Sequence, residues 1–142
     1  MNPTLRNILV AICAAFLGAT ANMALIISGG YVIAPPLGVD LNTAEGLAAG
    51  MHLMEPRHFL FPFLAHAVGS LVGAFVVARF AATRHMQLAM IITSLFFVGG
   101  LQMVLELPSP MWFNVTDLVL AYYPMGLLGY KWGKRRVVVT GY

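Results

Sequence analysis

The chain has 142 residues, of which 60% are hydrophobic and only 9% are charged, and its formal net charge is +3. Soluble domains carry about 25% charged residues, so this composition excludes a soluble globular protein and predicts an integral membrane protein. The basic residues lie at the chain ends and in one short connection, which excludes a nucleic-acid-binding surface. The single cysteine, Cys13, excludes a disulfide and thiol–disulfide chemistry within one chain.

Four apolar segments are long enough to cross a bilayer, whose hydrocarbon core needs about 20 helical residues. They cover residues 7–33, 57–81, 86–107 and 112–132. The sequences APPLGVD and LPSP end the first and third segments, because proline interrupts a helix and restricts the residue before it. The sequence therefore predicts an all-α membrane protein, a single four-transmembrane-helix bundle over residues 1–142.

The first segment begins like a signal peptide, with Arg6, an apolar stretch and the small residues ATA at 19–21. Its apolar run continues well beyond the roughly 7–15 residues of a signal-peptide core. We therefore expect it to be retained as the first transmembrane helix.

The long connection after the first segment contains a second helical pattern. Apolar residues from Ala44 to Met54 recur at the spacing i, i+3, i+4, i+7 that is typical of an amphipathic helix. Asn42, followed three residues later by Glu45, resembles the start of a helix. The pattern predicts a short helix lying at the outer membrane interface.

His52, Glu55 and His58 follow that helix in the spacing H-x-x-E-x-x-H. Histidine and carboxylate side chains are zinc ligands, and two neighbouring methionines would suit a softer ion such as Cu(I). Pro56 interrupts the spacing, which also differs from the H-E-x-x-H of zinc enzymes. These three residues are a candidate metal site, although we expect no cofactor. A haem held by two histidines would need a second chain, because only His66 lies clearly within a span.

The predicted spans contain several polar residues, which normally face a partner or a cavity because an ionisable group at membrane depth costs about 3 kcal/mol. The candidates are Asn22, His66, Gln102, Glu106, Asp117 and Tyr122. We expect them to line one outward-facing polar cavity for a solute or a proton, with His52, Glu55 and His58 at its rim.

Local explanations compete with this cavity. Asn22 and Gln102 could bond to each other between helices, and Glu106 and Asp117 could be interfacial residues beside LPSP. His66 could donate to a carbonyl freed by Pro62, four residues earlier.

The positive-inside rule gives an orientation. One side holds only Arg57 as a basic residue, whereas the other holds Arg6, Arg79, Arg84, Lys131, Lys134, Arg135 and Arg136. Both termini are therefore predicted to be cytoplasmic in the inner membrane. Trp112 and Trp132 lie about 30 Å apart along a helix, which fits the two interfaces of the fourth span.

Small residues such as Gly69, Gly73, Gly129 and Gly133 allow helices to approach closely. Their number exceeds what one small bundle needs, so we expect a homo-oligomer.

Three functions compete. The first is a homo-oligomeric permease or channel subunit for a small solute, a proton or a cation. The second is a metal- or haem-binding membrane enzyme, and the third is an accessory subunit that docks partner membrane subunits. The chain has no P-loop, dinucleotide fingerprint or G-x-S-x-G motif, so an enzyme is the less favoured interpretation.

Overall fold

The computed structural model describes residues 1–134, and this part of the chain is helical without strands. The α-helices are α1 (Pro3–Val32), α2 (Ala44–Gly50), α3 (Leu60–Phe80), α4 (His85–Glu106), α5 (Met111–Leu120) and α6 (Tyr123–Gly133). Two short 3₁₀-helices, Met51–Leu53 and Pro56–Phe59, lead into α3. The predicted all-α fold class is confirmed for the described residues. Arg135 and Arg136, which contributed to the predicted orientation, lie outside them.

Within the described residues, three helical stretches are long and apolar enough to cross a membrane. They are Pro3–Val32, Pro56–Phe80 and His85–Glu106. They correspond to the first three predicted spans, and they indicate a membrane protein.

The fourth predicted span is not one continuous helix. α5 ends at Leu120 and α6 begins at Tyr123, and Tyr122 between them has a non-helical backbone with φ −106° and ψ −81°. Pro124 lies in the first turn of α6. A proline has no N–H, and its ring clashes with the carbonyl four residues earlier, so a straight helix cannot pass through this position.

α3 lies at the centre of the bundle and packs along α1, α4 and α6. Glycines permit two of these contacts: a Cβ added to Gly18 would lie 2.7 Å from the Gly69 carbonyl oxygen, and one on Gly129 would collide with the Leu71 carbonyl. Gly73 likewise faces Ile92 inside the chain. These glycines are therefore used within one chain, and they supply no argument for contacts between chains.

The N-terminal turn of α1 is tied to the connection between α3 and α4. Arg6 Nε donates to the Phe80 carbonyl at 2.9 Å. Asn7 Oδ1 accepts from the backbone N–H of Ala82 at 2.8 Å, and its Nδ2 donates to Thr83 Oγ1 at 3.0 Å. These polar contacts fix one end of the bundle.

The short helix predicted in the long connection is present as α2. It begins after Thr43, whose Oγ1 accepts from the Gly46 N–H at 3.0 Å, and not after Asn42. The reason is local: Asp40 Oδ1 already accepts from the backbone N–H and the side-chain amide of Asn42, at 2.8 and 3.0 Å.

Candidate functional site

A cavity of about 460 Å³ lies between α1, α3, α4 and α5, at the end of the bundle that carries the long connection. Met51, Phe59 and Phe113 form a buried apolar cluster beside it. Its wall is mainly aliphatic and aromatic, with polar side chains from Asn22, His58, His66, Ser109, Asn114, Asp117 and Tyr122. Four of the six predicted cavity residues are therefore brought together in this wall.

His66 and Asp117 form the polar centre of the cavity. His66 lies two turns into α3 and Asp117 lies on α5, and His66 Nδ1 is 2.9 Å from both carboxylate oxygens. The Asp117 side chain is only 3% exposed, and that of His66 is 18% exposed. Since Nδ1–H donates to the carboxylate, Nε2 is the ring nitrogen left for a ligand. It has no hydrogen-bond partner among residues 1–134.

Tyr122 completes this centre. Its hydroxyl donates to Asp117 Oδ2 at 3.2 Å, and its ring stacks on that of His66 with centroids 5.6 Å apart. Gly100 of α4 leaves room for it, because an added Cβ would collide with the Tyr122 hydroxyl. The Asp117 carboxylate thus receives two donors, as a buried polar group requires.

Asn22 lies in the cavity wall, and its side-chain oxygen forms no hydrogen bond with the described residues. This Oδ1 atom is buried. A Cβ added to Gly69 would lie 3.1 Å from the Asn22 Cβ, so α1 and α3 approach closely here. Gln102, the interhelical partner considered for Asn22, does not bond to it.

Gln102 and Glu106 lie outside the cavity wall, which corrects their expected place beside His66. Both are exposed, and Gln102 Nε2 donates to Glu106 Oε1 at 2.7 Å. The two residues are four apart on α4 and share a face. The face of α4 that lines the cavity carries Gly99 and Met103 instead.

The predicted metal ligands are not assembled into a site. Glu55 pairs with Arg57, with Oε2 and Nε 3.0 Å apart. His58 Nδ1 accepts from the Glu55 backbone N–H at 2.9 Å, and its Nε2 donates to the Ala34 carbonyl at 3.2 Å. His52 is exposed. Within the part of the chain that the structure describes, no three His, Cys, Asp or Glu side chains could hold a metal ion together.

The 3₁₀-helix that begins at Pro56 gives the physical reason, because it turns His58 back onto Glu55 as part of a helix cap. Of the three predicted rim residues, only His58 lines the cavity.

Ser109 and Asn114 are cavity residues that the sequence analysis did not single out. Ser109 Oγ donates to Asn114 Oδ1 at 2.9 Å, and Asn114 is buried. Asn114 precedes Asp117 by three residues on α5, so it shares the Asp117 face. This three-residue spacing was the feature of the sequence that could have identified Asn114 as a cavity residue.

The chemistry that this site offers is hydrogen bonding at Nε2 of a histidine that a buried carboxylate orients. Among the described residues, no serine or cysteine forms a hydrogen bond with His66. Comparisons with protein-family models, with characterised proteins and with solved structures find no match for this chain.

Proposed function

We propose that the protein is a permease subunit of the inner membrane and that the cavity is its outward-facing binding site for a small solute, coupled to a proton. The His66–Asp117 pair carries the proposal. An ionisable residue within a span normally marks a substrate or proton pathway, since it is costly there without a function. The pair is held by a third residue, Tyr122, and its free Nε2 belongs to a ring that lines the cavity.

The broken fourth segment supports transport. We propose that α5 and α6 together form the fourth crossing of a four-helix bundle. Transporters place binding sites at discontinuous helices, because interrupted backbone is tolerated in a membrane only where it faces protein or a cavity. The interruption at Tyr122 lies next to Asp117, within the cavity wall.

The basic residues support an orientation for this site. Arg6, Arg79 and Arg84 lie at the end where α1 is tied to the α3–α4 connection. We propose that this end and both termini are cytoplasmic. The cavity then opens outward, and α2 lies at the outer interface. Below the cavity a buried cluster that includes Ala14 and Val77 fills the bundle, which favours a permease over an open channel.

We also propose that the unit is a homo-oligomer, because four short helices leave little room for a complete pathway inside one chain, and the cluster that includes Ala14 and Val77 fills the space below the cavity. Native mass spectrometry from lipid nanodiscs measures this directly. A single-chain mass would contradict it.

Proton flux into liposomes tests the function. Purified protein is reconstituted with an internal pH-sensitive dye, and a potassium diffusion potential drives protons inward. We expect flux above that of empty liposomes, and loss of most of it in Asp117→Asn. Glu45→Gln is the matched control, because Glu45 is an exposed carboxylate on α2 away from the cavity. Equal flux in wild type and Asp117→Asn would contradict the proton-coupled role.

The competing functions give different results in the same preparation. A stoichiometric metal or a Soret band would select the metal- or haem-binding enzyme. Stoichiometric co-purifying membrane subunits would select the accessory subunit.

A further inference from the structure

The cavity wall indicates what kind of molecule fits. The wall is formed mostly by leucine, isoleucine, valine, methionine and phenylalanine side chains. Small-molecule sites have volumes of about 300–1,000 Å³ and are mainly apolar, with a few polar groups that fix orientation. The present cavity, at about 460 Å³, matches both criteria. A hydrated inorganic ion would find few oxygen ligands here, whereas an apolar molecule would be well covered.

Exposed residues of the cavity wall mark where this cavity reaches the surface of the bundle. α1 and α4 each pack along α3 but touch each other at only a few points. On both sides of this gap, residues that line the cavity are also exposed: Met23 and Ile26 on α1, and Leu95, Gly99 and Met103 on α4. These positions lie within two of the helices that are long and apolar enough to cross a membrane. With α1 and α4 crossing the membrane as proposed above, this gap would face lipid.

The polar end of the cavity matches a hydroxyl group. Asn22 packs against Gly69, and His66 precedes Gly69 by one helical turn, about 5 Å along α3. The His66 ring, with Nδ1–H donated to Asp117, presents Nε2 as an acceptor. Asn22 also lines the cavity, and its side-chain N–H2 donates to none of the described residues. A hydroxyl both donates and accepts, so it can donate to His66 and accept from the Asn22 amide.

The charge of the wall argues against an anion. Among the residues described as lining the cavity there is no lysine or arginine, and Asp117 is buried in its wall. A carboxylate ligand would therefore meet the Asp117 carboxylate in a wall that has no lysine or arginine to compensate its charge. The titratable groups in the wall are His66, Asp117, Tyr122 and His58, and the first three already bond to one another.

We propose that the cavity binds a neutral apolar molecule carrying a hydroxyl group, which enters from the bilayer through the gap between α1 and α4 and places its hydroxyl between His66 and Asn22. This inference rests on the proposed function, because it names the solute class of the same site.

Photolabelling tests the proposal with the full chain in nanodiscs of zwitterionic lipid. The probe is a long-chain alcohol with a diazirine in its alkyl chain, and the labelled peptides are mapped by mass spectrometry. We expect saturable labelling near Met23 and Met103, with about one probe per chain. 1-Decanol should displace the probe, whereas decane and decanoate should not. Labelling that does not saturate, or displacement by decane or decanoate as effective as that by 1-decanol, would overturn the proposal.

Two variants test the polar end and the gap separately. Asn22→Leu is close in size and breaks no hydrogen bond with the described residues, so it should fold and weaken displacement by 1-decanol by about 2- to 10-fold. Gly99→Phe should fit, because nothing lies within 4 Å of an added Cβ, and should reduce labelling several-fold. The controls are Ile27→Leu and Val98→Phe, which change exposed residues outside the cavity wall. An effect no larger than that of its control would overturn the corresponding part of the proposal.

This experiment and the proton-flux measurement fail independently. Proton flux without specific alcohol labelling would support the permease and contradict the proposed solute class. Specific labelling without proton flux in any condition would support a binding site for lipophilic molecules and contradict the permease.

Discussion

The two halves of the bundle are built in different ways. In the half near the α3–α4 connection, glycines and alanines bring α1, α3 and α6 into backbone contact, as Gly129 and Gly133 show against α3. In the other half α1 still packs on α3, but α4 and α5 have few contacts with each other or with α1 around a cavity, and polar bonds among His66, Asp117 and Tyr122 join α3 to α5. In a bilayer, where lipid supplies no hydrophobic drive between helices, close packing and polar bonding are the two available means of association.

The largest loss of stability is expected when a glycine in the closely packed half is replaced by a larger residue. Gly129→Leu would drive a side chain into the Leu71 carbonyl, and only separation of α3 and α6 would relieve it. We expect a loss of about 3 kcal/mol or failure to fold. Gly99→Leu in the cavity half is the control, because an added Cβ there meets nothing within 4 Å. Thermal unfolding in detergent measures both, and similar melting of the two variants would contradict the distinction between the halves.

The next largest loss of stability is expected when the hydrogen bonds of the cavity half are broken. Asp117→Leu would leave the His66 Nδ1–H and the Tyr122 hydroxyl without their acceptor, at about 1–3 kcal/mol each. Adding His66→Phe should restore part of this stability, because one of the unpaired donors is removed. Denaturation of both single variants and the double variant gives the coupling energy. Additive losses would show that the two residues do not stabilise the fold as a pair.

A smaller effect of opposite sign is expected at two buried hydroxyls. Ser70 and Thr93 are fully buried, and their hydroxyls have no hydrogen-bond partner among the described residues. Removing an unpaired buried polar group relieves its desolvation, so Ser70→Ala and Thr93→Val should raise the unfolding free energy by up to about 1 kcal/mol. Thr20→Val is the control, because Thr20 Oγ1 is exposed and donates to the Phe16 carbonyl. A loss of stability in the buried variants would indicate that their hydroxyls are paired.

The smallest effect is expected on the pKa of Asp40, which lies in the connection between α1 and α2. Hydrogen bonds from the Asn42 backbone, the Asn42 amide and the Thr43 hydroxyl hold the pKa of Asp40 below its ordinary value. Because the folded pKa is lowered, the stabilisation is present above the unfolded value of about 3.9 and is lost as the pH falls through the folded pKa. An NMR titration of the Asp40 carboxyl should therefore show a higher pKa in Asn42→Ala. An unchanged pKa would contradict the contribution of the amide.

The sequence predicted the first three spans well because length and apolar composition determine them. Pro124 did not alter the predicted fourth span, because transmembrane helices tolerate proline, and only the backbone at Tyr122 distinguishes a break from a kink. The face of α4 was not predictable. This helix is apolar on nearly all sides, so hydrophobicity does not indicate which side packs. Gln102 and Glu106 were therefore assigned to the cavity, although their spacing equally fits the exposed pair observed.

The pairing of His66 with Asp117 required the three-dimensional register of two helices that are far apart in sequence. Sequence reasoning could place both residues in one half of the bundle, because each lies near the start of its segment. It could not choose between a shared site and two local roles, since Asp117 also fits the first turns of a helix. Only the packing of α5 against α3 resolved the choice.

The close approach of α1 to α3 has a consequence for how the chain is made. Membrane helices insert first and associate afterwards. α1 is synthesised before α3, and the whole connection that contains α2 separates them. During that interval the backbone of Gly18 and the amide of Asn22 lack the α3 surface that covers them in the finished fold. The association of α1 with the rest of the bundle is therefore delayed until α3 has been synthesised and inserted.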